Sequence, residues 1–183
     1  GQPVRDVYMR RKPLFKEVST YEFCPPVKAD DKAVEQAFCT FTRHVVSPPS
    51  PVLEGSTFLS LTSPDLTTAG INLADMAKDV DALELRVDLL ADPSTLPHQI
   101  FHIRSQTSRP IVLTVRSRGE GGRFDGDDTA MAALLCEGVR CGVEFVDVEK
   151  RLPSSLIDTV VRSKPRRTRL ILSQHFISPG VPP

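Results

Sequence analysis

The chain has 183 residues and carries 23 Lys+Arg against 23 Asp+Glu, so its formal net charge is zero. That balance argues against a chain built to bind nucleic acid or an anionic membrane, both of which draw on excess positive charge. Apolar residues make up 40%, an ordinary share for a globular protein, whereas 16 prolines amount to about 9% against a usual ~5%.

No apolar run approaches the roughly 18 residues of a membrane-spanning helix. The opening GQPVRDVYMRRKP lacks an apolar segment, so no signal peptide is expected, and the missing initial Met suggests an internal start. Cys24, Cys39, Cys136 and Cys141 show no metal-like spacing with histidine, and Cys136 and Cys141 sit in an apolar run suited to core packing. These features point to an intracellular, reducing setting, nucleus or cytoplasm, with no metal and no cofactor.

The prolines cluster at Pro25–Pro26, at Pro48, Pro49 and Pro51, and at the end of the chain. The SPPSP stretch reads as a stiff linker over 48–56, which separates an N-terminal piece, 1–47, from a larger unit, 57–183. Within the first piece Val34, Ala37, Phe38, Phe41 and Val45 recur at helical spacing over 32–46.

From residue 57 strands and helices alternate. Strands are expected at 57–62, 82–87, 110–116, 143–149 and 168–175. Helices are expected along a stripe from Leu66 to Val80, over 94–107, over 128–141, and from a Ser154 cap to Ser163. This order predicts an α/β fold with a parallel sheet, part of a (β/α)8 barrel of about five strands and four helices, with an N-terminal helical extension. Gly119–Gly122 follows the third strand and lacks the GxGxxG spacing of a dinucleotide loop.

Polar residues fall at strand ends with period two. Glu84, Arg86 and Asp88 share one face, as do Thr114 with Arg116, Asp147 with Glu149, and Ser173 with His175. A barrel gathers such ends into one mouth, where the polar groups converge. Arg suits carboxylate binding, and His suits acid–base work near neutral pH. Glu120 is placed to orient that histidine. Ion pairs such as Glu84–Arg86 or Arg116–Asp147 are the plainer explanation for any one strand. Lys164, Arg166, Arg167 and Arg169 form a basic cluster that reads as a solvated loop.

The segments ALELRVD, PIVLTVRSRGEGGRF, VEFVDVE and LILSQH resemble type I 3-dehydroquinate dehydratase, a (β/α)8 barrel, over about residues 57–175. The resemblance implies substrate binding by Glu84, Arg86 and Arg116, and a catalytic His175 with Glu120 beside it. It also implies an imine-forming lysine on a sixth strand, whereas Lys150 and Lys164 are the only lysines late in this chain. The family's H-D-F is here His175–Phe176–Ile177, without the acid.

Residues 8–23 and the helix after them are similar to the end of a shikimate kinase domain, with Arg11, Pro13 and Phe15 in an R-x-P-x-Y-like pattern, which implies that 1–47 is the C-terminal remnant of such a domain. That domain order is shared by the fungal pentafunctional AROM polypeptides and the AROM-like fungal quinate repressors. The altered histidine motif favours the repressor family. It implies a regulator without turnover that contacts a transcriptional activator protein, with a quinate or shikimate pathway metabolite as a candidate ligand, and no direct DNA contact. The alternative is an AROM-type dehydratase. Five strands cannot close an eight-stranded barrel, so either self-association through exposed sheet edges or a longer chain is expected.

Overall fold

The computed structural model describes residues 4–46 and 55–177. The expected linker falls mostly outside the described residues. Five strands form one parallel sheet in chain order: β1 (Phe58–Leu61), β2 (Ala82–Arg86), β3 (Ile111–Thr114), β4 (Phe145–Glu149) and β5 (Arg169–Ser173). Between them run α3 (Leu73–Met76), α4 (Leu96–Gln106), α5 (Asp128–Arg140) and α6 (Ser154–Ser163), preceded by α1 (Val4–Val18) and α2 (Asp31–Val46).

Alternation decides the two faces of the sheet. Leu83 and Leu85, Ile111 and Leu113, and Val146 and Val148 point to the helices and are buried. Burial of a side chain of this size contributes about 1.5–3 kcal/mol. The opposite face carries Ser60, Glu84, Arg86, Val112, Thr114, Asp147 and Ser173. Register aligns them in rows, Ser60 opposite Glu84 and Thr114 opposite Asp147. A parallel sheet covered on both sides has near-continuous apolar strands; here only one face has that composition. Phe58 on β1 and Ile171 and Leu172 on β5 are exposed along the two edge strands.

Three expectations are corrected. The stripe from Leu66 to Val80 yields only the four-residue α3, because Asp65 and Asn72 capture nearby backbone N–H groups in turns. The cap of α6 is Pro153, and Ser154 is the first helical residue. The second strand ends at Arg86, and a 3₁₀ turn, Val87–Leu89, carries Asp88 back toward it. α1 lies outside the periodicity reading, and it contains Pro13.

The N-terminal arm packs on the barrel unit. Glu22 N–H donates to the Arg140 carbonyl at 2.7 Å. Phe23 lies against Phe38, Phe41 and Phe101 with ring centroids 5.3, 5.4 and 6.0 Å away, and so joins α2 to α4. Gly142 has a positive φ of 77°, and a Cβ there would stand 3.0 Å from Phe41 Cε2. Its lack of a side chain thus serves both the turn into β4 and the approach of α2.

Asp65 ties the β1–α3 loop to α4. Its carboxylate accepts from Gln99 Nε2 at 3.0 Å, Thr67 Oγ1 at 2.7 Å and Thr67 N–H at 2.9 Å. The Gln99 bond leads in holding its pKa down at about 2. A folded value below the unfolded ~3.9 makes this contribution complete above about pH 4 and lost as pH falls through the folded value. Asp65→Asn should therefore lower the urea-unfolding stability at pH 6, by a small amount because the group is solvent-screened. The gap to the parent chain should close on acidification, and a gap independent of pH would contradict this account.

Candidate functional site

The C-terminal ends of the strands surround an open groove of about 540 Å³ on the polar face. Glu84, Arg86, Arg116, Glu120 and His175 all line it, together with Ser60, Asp147, Ser173 and the apolar Phe58, Val112, Ile171 and Ile177. The five residues singled out from the sequence are thus brought together. Ser60 was missed, although it follows the same alternation and stands opposite Glu84.

Arg116 is the hub. Its guanidinium is buried and reaches Asp147 Oδ2, Ser173 Oγ at 3.0 Å, Glu120 Oε2 at 3.4 Å and Glu149 Oε1 at 3.5 Å. Ser173 Oγ also donates to Asp147 Oδ1. These contacts cross three strands and a loop, so the network fixes β3, β4 and β5 relative to one another. The plain ion pair Arg116–Asp147 exists, but as one spoke of a larger set. Glu149 shares the face by register yet serves the scaffold: it accepts from Ser117 N–H at 2.8 Å and Arg151 Nε at 2.8 Å.

Glu120 joins this hub to the histidine. Its Oε2 accepts the His175 backbone N–H at 3.0 Å and stands 3.0 Å from His175 Nδ1. That contact orients the ring. Glu120 is 7% exposed and the His175 side chain 45%, so the imidazole faces the groove while its partner is held in the interior.

On β2 the pairing differs from the expected Glu84–Arg86 contact. Glu84 accepts from Thr114 Oγ1 at 2.6 Å and from Ser60 Oγ. Arg86 instead forms a two-pronged pair with Asp88, Nε–Oδ1 and Nη2–Oδ2 both 2.8 Å. Asp88 raises the Arg86 pKa above its ordinary value, chiefly through these bonds. Asp88 also accepts from Arg123 N–H at 3.0 Å, and it works behind Arg86 rather than in the groove.

The glycine stretch turns out to be the device that sets Glu120. A 3₁₀ turn, Arg118–Glu120, ends at Gly121 in the left-handed conformation with φ 82°. Gly122 then passes so close to the preceding strand end that a Cβ would lie 2.1 Å from the Arg116 carbonyl oxygen. Phe124 N–H donates to that same carbonyl at 3.1 Å and closes the loop. Lys150 is an exposed turn residue, and Lys164 Nζ donates to the Thr168 carbonyl at the other end of the sheet, so neither reaches the groove. Among the described residues no group of His, Cys, Asp and Glu is arranged to hold a metal ion.

The sequence pattern described as Type I 3-dehydroquinase matches residues 57–182, which include every strand and every groove residue. The chain belongs to the type I 3-dehydroquinase family. It is 37% identical over 183 residues to the Pentafunctional AROM polypeptide of Komagataella phaffii, covering 96% of this chain and 12% of that one. The dehydroquinate dehydratase and shikimate dehydrogenase structure from S. pombe AroM superposes with a TM-score of 0.60 at 31% identity, over 75% of this chain and 26% of that chain. A type I 3-dehydroquinate dehydratase from Clostridium difficile has the same fold, with TM-score 0.59 at 22% identity over 64% of this chain and 49% of its own. The chain therefore spans a small part of the AROM polypeptide and about half of the single-domain structure.

The loop geometry is testable. Gly122→Ala should cost about 1–3 kcal/mol, because the obstacle is backbone and cannot rotate away. Gly119→Ala, whose Cβ would meet nothing nearer than Ser117 Oγ at 3.9 Å, should stay within about 0.5 kcal/mol. Equal effects of the two in denaturant titrations would show that the close approach does not matter.

Proposed function

We propose that this segment is the dehydratase part of an AROM-type enzyme and that its groove binds 3-dehydroquinate. The observation that carries this reading is the joint placement of His175, Glu120 and Arg116. An oriented imidazole faces an open groove, and its carboxylate partner is shared with a buried guanidinium. The names of the matched relatives support the enzyme in preference to the regulator.

Loss of water from a hydroxyl-bearing ring breaks one C–H and one C–O bond. The C–H electron pair becomes the new double bond, and the departing hydroxide takes up a proton. His175 accepts the proton from carbon, with Glu120 holding its ring. Arg86, half-buried and braced by Asp88, binds the substrate's carboxylate or hydroxyl oxygens from the side. Glu84 and Ser60 offer hydroxyl-binding positions on the neighbouring strands. The family resemblance assigns imine formation to a lysine outside the strands described here.

The second reading, a regulator without turnover, draws on Phe176, which stands 83% exposed where the family motif has an acid. Turnover separates the two. In an AROM-type polypeptide carrying this segment, His175→Asn should lower kcat about 10²–10⁴-fold while KM changes little. Arg86→Gln should act mainly on KM. An unchanged kcat in the His175 variant would overturn the assignment, and absence of turnover in the parent polypeptide would favour the regulator.

A further inference from the structure

The opposite end of the sheet holds a second cavity, of about 250 Å³, between the end of α2 and the starts of β4 and β5. Tyr21, Arg43, His44, Ser108, Arg167 and Arg169 contribute to its wall. Two of these arginines belong to the basic cluster that reads as a solvated loop from sequence. Both are partly buried here, and Arg167 Nη1 donates to the His44 carbonyl.

The charge balance of this cavity is one-sided. Its carboxylate, Glu144, is already engaged. Arg104 Nη2 donates to it at 3.0 Å, His44 Nδ1 lies 3.1 Å away, and Ile111 N–H donates at 2.7 Å. His44 is also occupied at its other nitrogen, which lies 3.0 Å from the Ser108 carbonyl. Arg43, Arg167 and Arg169 have no ion-pair partner among the described residues. Arg169 rests over the Phe145 ring at 5.9 Å, a contact that leaves its guanidinium edge open to a ligand. Burial pushes the Tyr21 phenol up, so it remains an O–H donor.

We propose that this cavity is a binding site for a small multivalent anion, a phosphate or a di- or tricarboxylate, held by Arg43, Arg167 and Arg169. The volume matches roughly eight waters and is below the ~300 Å³ of a drug-sized pocket, so it suits a compact ligand. Guanidinium forks match carboxylate and phosphate oxygens in pairs. The three arginines come from α2, from the turn before β5 and from the first residue of β5, so a bound anion also fastens the N-terminal arm to the barrel unit.

The test is calorimetric titration of the chain with inorganic phosphate in one arm and citrate in the other, with ionic strength held constant by chloride. Saturable one-site binding is expected in at least one arm, and the tighter arm identifies the ligand class. Arg167→Gln/Arg169→Gln should weaken it at least tenfold. So should Arg43→Gln, whose exposed position on a helix end leaves the fold undisturbed. Lys150→Gln/Arg162→Gln removes the same two charges from exposed positions elsewhere and should bind within twofold of the parent chain. No saturable binding of either anion, equal weakening by the control pair, or an unaffected Arg43 variant would each overturn the proposal.

Discussion

A single buried cation organises the polar end of this sheet. The Arg116 guanidinium is buried, and an uncompensated guanidinium in the interior is strongly unfavourable. Asp147, Glu120 and Glu149 must therefore converge on it, two from β4 and one from the turn after β3. Asp147 and Ser173 lock β4 to β5. Glu149 holds the turn after β3 through Ser117. Glu120 extends the network to His175. Removing the cation would leave three buried carboxylates close together with only their remaining hydrogen bonds, from Ser173, His175, Ser117 and Arg151, so the network is held together by mutual need and not by any one strong bond.

That constraint explains why the groove is both preorganised and open. Its carboxylates are satisfied from behind, by strand neighbours and loop amides, while His175 and Arg86 keep exposed edges. The apolar face of the same strands supplies the cohesion, because Leu83, Leu85, Leu113, Val146 and Val148 are sealed under the helices. Period-two alternation is what allows one strand to do both. The far end of the sheet follows another logic: there the N-terminal arm closes over the strand starts through Phe23, Phe41 and the Glu144 cluster, and leaves positive charge unmatched.

Much of the polar groove was legible because strands impose a simple rule. Once ALELRV and VEFVDVE are read as strands, Glu84 and Asp147 have to share a side with their period-two neighbours. Asp88 shows where the rule stops. It obeys the parity but lies beyond the strand end, where a 3₁₀ turn redirects it onto Arg86. The helical stripe from Leu66 failed for a related reason, since Asp65 and Asn72 offered the backbone local bonds that compete with a helix.

The sequence by itself determined the order of strands and helices, the division of the sheet into apolar and polar faces, and the family, because these depend on local periodicity and short motifs. Tertiary structure alone decided which charges meet. Arg86 chose Asp88 over Glu84, Glu120 was swung to His175 by a loop that tolerates no Cβ at Gly122, and Arg167 and Arg169 were drawn from an apparently solvated loop to the arm of α2. The last two rest on contacts between residues 55 and 123 positions apart, whose distances no local pattern encodes, and the first on a 3₁₀ turn that departs from strand periodicity.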